Sequence, residues 1–191
     1  NISSDGRWAV YVRDGNLEAI FLPKGTVTPL EIKENGNLIT DAENPVFNPD
    51  MTQIVYSRGT GTNNKIWMVS ITINLDDNTI TAGTPQQLSG TELSINDRYP
   101  SFSPDGRYII FTSDRWDGHD AIYVMNSGKT GTSGSGVTRI VDQVPAPAVG
   151  LSTTNPFAVF GPVNTDSENY YVAYVKTGDE IQIAKLSKAG M

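Results

Sequence analysis

Tyr99-Pro100-Ser101-Phe102-Ser103-Pro104-Asp105-Gly106, continued by Arg107-Tyr108-Ile109-Ile110-Phe111-Thr112-Ser113-Asp114-Arg115 and closed by Asp120-Ala121-Ile122-Tyr123-Val124-Met125, decides the fold of this chain. It reads as strand, tight turn, strand, polar loop, strand. Pro104 presets φ at the first corner, Asp105 takes the second, and Gly106 relaxes the exit, so Ser103 to Gly106 spells a type I turn rather than a catalyst. Tyr108, Ile109, Ile110 and Phe111 are apolar at consecutive positions, where one wet face would require alternation. Such a strand needs cover on both sides, and antiparallel sheets stacked radially supply it.

The same order of features recurs in both directions. Upstream stand Asn44-Pro45-Val46-Phe47-Asn48-Pro49-Asp50-Met51, then Gln53-Ile54-Val55-Tyr56-Ser57-Arg58, then Lys65-Ile66-Trp67-Met68-Val69. The chain opens on a copy without its preceding strand: Ser4-Asp5-Gly6-Arg7, then Trp8-Ala9-Val10-Tyr11-Val12, then Leu17 to Leu22. A worn fourth copy holds Asn155 to Phe160, Tyr170 to Val175 and Glu180 to Ala184, with a longer insert replacing the turn. The turn aspartates Asp5, Asp50 and Asp105 stand 45 and 55 residues apart, a spacing for four-stranded propeller blades. Outer strands are expected over residues 29–33, 79–88 and 137–141, and exposed loops over 59–64, 126–136 and 163–169. No helix is expected. The reading is an all-β propeller of about four antiparallel blades, approximately 1–38, 39–92, 93–145 and 146–191, in one partial domain.

Bulk composition narrows the function classes. The 191 residues carry a formal charge of −7, which argues against sequence-independent nucleic-acid binding through Lys and Arg clusters. No apolar run approaches the roughly 20 residues of a membrane-spanning helix. With no cysteine there is no disulfide, thiol nucleophile or thiolate metal site. No secretory signal opens the sequence, and a start at Asn1 fits one already removed.

Residues 100–125 resemble the TolB-like β-propeller repeat, whose signature is matched by Pro100, Phe102, Ser103-Pro104-Asp105-Gly106, Ile109, Phe111, Ser113-Asp114-Arg115 and Ile122-Tyr123. The second copy departs at Asn48 and Met51, the first has Ser4 in place of Pro, and the fourth lacks the turn. The resemblance implies rings of about six to eight blades. It also implies a periplasmic or extracellular location, in cell-envelope scaffolds or beside hydrolase domains. Both terminal blades read as incomplete, so a fragment, a processed piece or a ring closed by another copy is expected.

Chemical motifs are sparse. Ser127-Gly128-Lys129-Thr130 ends like a phosphate-binding loop, but Tyr123 stands where its first Gly belongs. The run from Gly131 lacks the final Gly of a nucleophile elbow, which Ser135 replaces. His119 is the sole histidine, so neither a multi-histidine metal site nor a triad with another base is available. The best surface feature is the hairpin loop with Asp114, Arg115, Trp116, Asp117, His119 and Asp120, read as a ligand or partner contact. Asp114, Asp117 and Asp120 are a weak calcium set, since hard oxygen ligands suit that ion. The bland alternative is a solvated hairpin with Asp114 and Arg115 paired locally. Asp76-Asp77-Asn78 reads as a plain hairpin turn, and Trp8 and Trp67 as core.

These features favour a non-enzymatic scaffold that binds a protein or glycan partner in the bacterial cell envelope, with no cofactor and no nucleic acid. A homo-oligomer, or the remaining blades of a parent ring, would complete it. The rival reading is the propeller portion of a larger hydrolase or peptidase whose catalytic domain lies elsewhere. Carbohydrate processing would need two carboxylates held about 5 to 10 Å apart in a cleft.

Overall fold

A computed structural model describes residues 1–23, 30–34, 36–115, 120–128, 137–139, 158–162, 167–176 and 180–190. Among them the chain forms antiparallel sheets and a single 3-10 turn, Lys188–Gly190. The first sheet is β1 (Trp8–Arg13), β2 (Asn16–Phe21) and β3 (Leu30–Glu31), followed by a small ribbon of β4 (Lys33–Glu34) and β5 (Asn37–Leu38). The second runs through β6 (Ala42–Phe47), β7 (Gln53–Arg58) and β8 (Lys65–Asn74); β9 (Thr79–Ala82) and β10 (Gln86–Gln87) pair with different stretches of β8. The third is β11 (Asp97–Phe102), β12 (Tyr108–Ser113), β13 (Ala121–Asn126) and β14 (Val137–Arg139). The fourth is β15 (Ala158–Phe160), β16 (Asn169–Lys176) and β17 (Glu180–Ser187). These are four blades of a β-propeller in consecutive order, each packed on the next, with β6, β11 and β15 side by side along the inner edge.

Three turns are built alike. Gly106 N–H donates to the Ser103 carbonyl at 2.9 Å, and Gly6 to the Ser3 carbonyl at 3.0 Å. The Asp105 carboxylate accepts from Ser103 Oγ at 2.7 Å and the Arg107 N–H at 3.2 Å; Asp5 takes the same bonds from Ser3 and Arg7. In the second blade Asn48 replaces the serine, its Oδ1 taking the N–H of Thr52 and Gln53. Gly6 and Gly106 sit at φ 70° and 72°, the left-handed region that costs a side chain little only in glycine, and Met51 is held there at 61°. The prolines of the signature also have a mechanical reason. Between Glu43 and Val46, and between Arg98 and Ser101, the ladder shifts register. Pro45 and Pro100 occupy these bulges, where no N–H is required of them.

Three apolar clusters fill the three blade junctions. Trp8, Val10 and Leu17 meet Ile54, Tyr56 and Val69 at the first. Val55, Ile66 and Met68 meet Ile109, Phe111 and Tyr123 at the second. Ile110, Ile122 and Val124 meet Val172, Tyr174 and Leu186 at the third. Strands apolar at successive positions are therefore covered on both faces, as in β7, where Ile54 turns one way and Val55 the other.

Several sequence expectations are corrected in detail. The first blade keeps a stub of its inner strand: Ser3 N–H donates to the Trp8 carbonyl and Val10 N–H to the Asn1 carbonyl, both at 2.8 Å. The outer strand expected over residues 79–88 is two strands, because β8 runs on past the blade into a hairpin with β9. Asn74 and Asp77 brace that hairpin's turn by accepting the N–H of Asp76 and Thr79. Within the loop 59–64, Asn64 is buried rather than exposed. Trp8 is fully buried as expected, whereas Trp67 is half-buried, with the Arg58 guanidinium 5.2 Å from its ring centroid.

Candidate binding mouth at the turn end

The two ends of the blades differ in chemistry. At the end opposite the turns, the hairpin residues Asp114 and Arg115 do not pair with one another. Arg115 reaches back to Asp97, donating from one guanidinium nitrogen to both carboxylate oxygens at 2.8 and 2.9 Å, while its Nε donates to Ser113 Oγ at 3.0 Å. Its guanidinium carbon lies 5.3 and 5.2 Å from the Phe111 and Tyr123 ring centroids, so a cation is sealed against two aromatic faces. Asp114 accepts the Asn96 N–H at 2.8 Å, and Asp120 accepts two bonds from Arg98 at 2.8 and 3.0 Å. Residues of the sequence-read site thus serve as internal clamps where they are described. Trp116, Asp117 and His119 lie outside the described residues, and among those described no group of three carboxylate or histidine side chains is placed to hold a metal ion.

The same end carries the stitch between second and third blades. Asp97 N–H donates to the Asn64 carbonyl at 2.9 Å, and Ala42 N–H donates to Gly15 in the same way one blade earlier. Lys65 Nζ donates to the Ile95 carbonyl at 2.6 Å. Burial pushes its pKa down, and the nearby Asp97 carboxylate opposes that shift.

At the turn end the inner strands stop together around a depression of about 340 Å³. Val46, Phe47 and Phe102 form its floor, and the exposed Ile2 joins Pro49, Pro104 and Pro162 at its rim. Among the described residues lining it, none carries an acidic or basic side chain. Each turn is tied to a neighbouring blade: Ser4 Oγ donates to the Pro49 carbonyl at 2.8 Å, and Tyr170 Oη of β16 donates to Asp105 Oδ2 at 2.5 Å. Burial, and then the Asp105 bond, raise the Tyr170 pKa. Burial would raise Asp105, yet bonds from Tyr170, Ser103 and the Arg107 N–H hold it below the ordinary carboxylate range. A second hollow of about 90 Å³, bordered by Asp105, Tyr170 and Lys188, adjoins the mouth.

The rim contains a residue that repeat reading missed. Gly161 N–H donates to the Tyr171 carbonyl at 2.7 Å, as Ser103 N–H does to Tyr108, so Gly161-Pro162 occupies the place of Ser103-Pro104. The signal was Phe160-Gly161-Pro162 beside Phe102-Ser103-Pro104, obscured because no Asp-Gly follows.

The chain matches no family model and no curated protein. Among solved structures it is similar to the β-propeller domain of Cps50 (Swd1) from Myceliophteria thermophila, at 12% identity and TM-score 0.56, covering 98% of this chain and 49% of that one. It is also similar to a prolyl endopeptidase at 15% identity and TM-score 0.51, covering 99% of this chain and 26% of the other. TolB from Acinetobacter baumannii aligns over 97% of this chain and 39% of its own at 20% identity, with TM-score 0.49. The chain spans about half or less of the length of each. The first two likenesses establish the propeller fold.

Proposed function

We propose that this chain is a TolB-like, non-enzymatic propeller scaffold of the bacterial cell envelope, periplasmic or extracellular, that binds a protein or glycan partner at its turn-end mouth. The observation that carries the reading is the mouth itself, concave, rimmed by prolines and lined without a charged side chain among the described residues. Such a surface offers apolar contact together with hydrogen bonds from backbone and from uncharged side chains such as Ser4 and Ser101, which suits binding. The segment with Trp116, Asp117 and His119, read from the sequence, is a second contact surface in this proposal.

Ile2 is 62% exposed at the mouth, so Ile2→Glu adds charge there without disturbing a core. Immobilised wild-type chain is expected to retain an envelope component that Ile2→Glu loses and Trp116→Ala retains more weakly. Retention of nothing by the wild type, or equal retention by Ile2→Glu, would remove the mouth as the binding site.

The likeness to a prolyl endopeptidase favours one alternative, that the blades are the propeller portion of a larger hydrolase. A reading frame downstream that encodes a nucleophile elbow would decide for it, and envelope-complex genes would decide against it.

A further inference from the structure

The second and third blades each stack a guanidinium on the same ring of the repeat, and only the third supplies an acid for it. Trp67 pairs with Tyr56 across the ladder of the second blade as Tyr123 pairs with Phe111 in the third. The guanidinium carbon of Arg58 lies 5.2 Å from the Trp67 ring centroid, and that of Arg115 lies 5.2 Å from the Tyr123 centroid. Arg115 is neutralised by Asp97, which stands opposite Ser113. The corresponding ladder position in the second blade is Ala42, opposite Arg58 itself.

Arg58 stands apart from the other arginines in this respect. Arg7, Arg13, Arg98, Arg107 and Arg115 each have a carboxylate within ion-pair distance, whereas the Arg58 guanidinium has no acid and donates no hydrogen bond among the described residues. Its sheet packs between the first and third blades. Directly opposite Arg58 on β8 stands a second cation, Lys65, whose ammonium donates to the Ile95 carbonyl at 2.6 Å, Asn63 Oδ1 at 3.1 Å and the Asn64 carbonyl at 3.4 Å, three uncharged oxygens. Like charges opposed on a ladder are destabilising, and an anion beside them relieves the repulsion. Lys65 is buried with its donors engaged, while Arg58 is half-buried and steadied by the indole face, so its remaining donors are available to a ligand. Gly59 closes the adjoining loop tightly, since a Cβ there would lie 2.3 Å from the Asn63 carbonyl oxygen, and the exposed Thr60 and Thr62 add uncharged donors nearby.

We propose that Arg58, stacked on Trp67, is a binding site for a carboxylate carried by a ligand, which takes on this guanidinium the part that Asp97 takes on Arg115. The planar fork of arginine matches a planar carboxylate, and the third blade shows a ring-stacked guanidinium holding that same group. The site lies at the end opposite the turns and does not depend on the mouth. An acidic peptide and a uronic-acid glycan both carry the required group.

The Trp67 indole resonance of the isotope-labelled full chain reads the site, titrated with a capped tetraglutamate peptide and with tetragalacturonate. At least one of the two is expected to shift it saturably, with an affinity that falls as salt is raised. Saturation by the peptide alone would assign the carboxylate to a protein partner, and by the oligosaccharide alone to a glycan. Arg58→Gln is expected to weaken binding about tenfold or more, and Arg58→Lys, which keeps the charge without the fork, to fall between. The buried Trp8 indole resonance, unmoved in both variants, reports that they are folded. Tetraglutamine and the methyl ester of the galacturonate are expected to shift nothing. No saturable shift with either acidic probe at about 10 mM, equal affinity in Arg58→Gln, or an equal response to the uncharged probes would each overturn the proposal.

Discussion

The third and fourth blades hold nearly the same register with different means. The third has the full turn, four strands and a buried Asp97–Arg115 clamp. Among the described residues the fourth has three strands, and its sequence keeps none of the Ser-Pro-Asp-Gly turn beyond the Gly161-Pro162 that stands at its start. Yet Phe160 pairs with Val172 as Phe102 pairs with Ile109, and the same alternate side chains face the neighbouring blade. Strand patterning places a blade on its neighbour; the signature turn and clamp then brace what patterning has placed.

The largest effect separating the two should come from the clamp. Arg115→Ala leaves Asp97, which is fully buried, without its charged partner, and is expected to cost about 3–5 kcal/mol in chemical denaturation. A loss near zero would mean that the third blade, like the fourth, stands on patterning alone. Tyr170→Phe removes the bond by which β16 of the fourth blade holds the Asp105 turn of the third. About 1–2 kcal/mol should be lost, read the same way.

Glycine positions sharpen the contrast further. Gly106→Ala puts a side chain at φ 72° and should cost about 1 kcal/mol. Gly161→Ala, at the position where the third blade already carries Ser103, meets the Tyr171 carbonyl oxygen at 3.4 Å and its Cβ at 3.6 Å, ordinary contacts, and should change stability by less than about 0.5 kcal/mol. Equal costs at both positions would mean that the left-handed φ of Gly106 is not what makes its substitution costly.

The smallest effect is in acid. Bonds from Ser3 and the Arg7 N–H take the Asp5 pKa from an ordinary 3.8 down to about 2, and Asp50 and Asp105 are lowered too. A carboxyl lowered on folding stabilises the native state above its unfolded value and loses that contribution as pH falls through its folded value. The melting temperature of the wild type should exceed that of Asp5→Asn at neutral pH, and the gap should close between pH 4 and about 2. A gap that persists below pH 2 would assign the effect of the substitution to something other than the charge.

Much of the fold was legible because it rests on local chemistry. A turn of Pro, Asp and Gly and a run such as Tyr108 to Phe111 state a hairpin and a two-sided strand without reference to the rest of the chain. The site was less legible, since its determinants are long-range. Asp114 and Arg115 are sequence neighbours, and loop charges usually are solvated, so a local pair was the natural reading. Their partners Asn96 and Asp97 lie 18 residues upstream and become neighbours only when β11 pairs with β12. The mouth is likewise assembled from all four repeats, with Ile2, Phe47, Phe102 and Pro162 among the two to four residues that each contributes, and no single stretch announces it.

The account stands on successive blades being stacked face to face, and Tyr108 and Tyr170 test that contact most directly. Their rings meet edge-on across the junction of third and fourth blades with centroids 5.9 Å apart. A double-mutant cycle in urea, with Tyr108→Ala, Tyr170→Ala and both together, is expected to give a coupling of about 0.5–1.5 kcal/mol. Costs that add to within about 0.3 kcal/mol would mean that the two rings, and the blades that carry them, are not in contact.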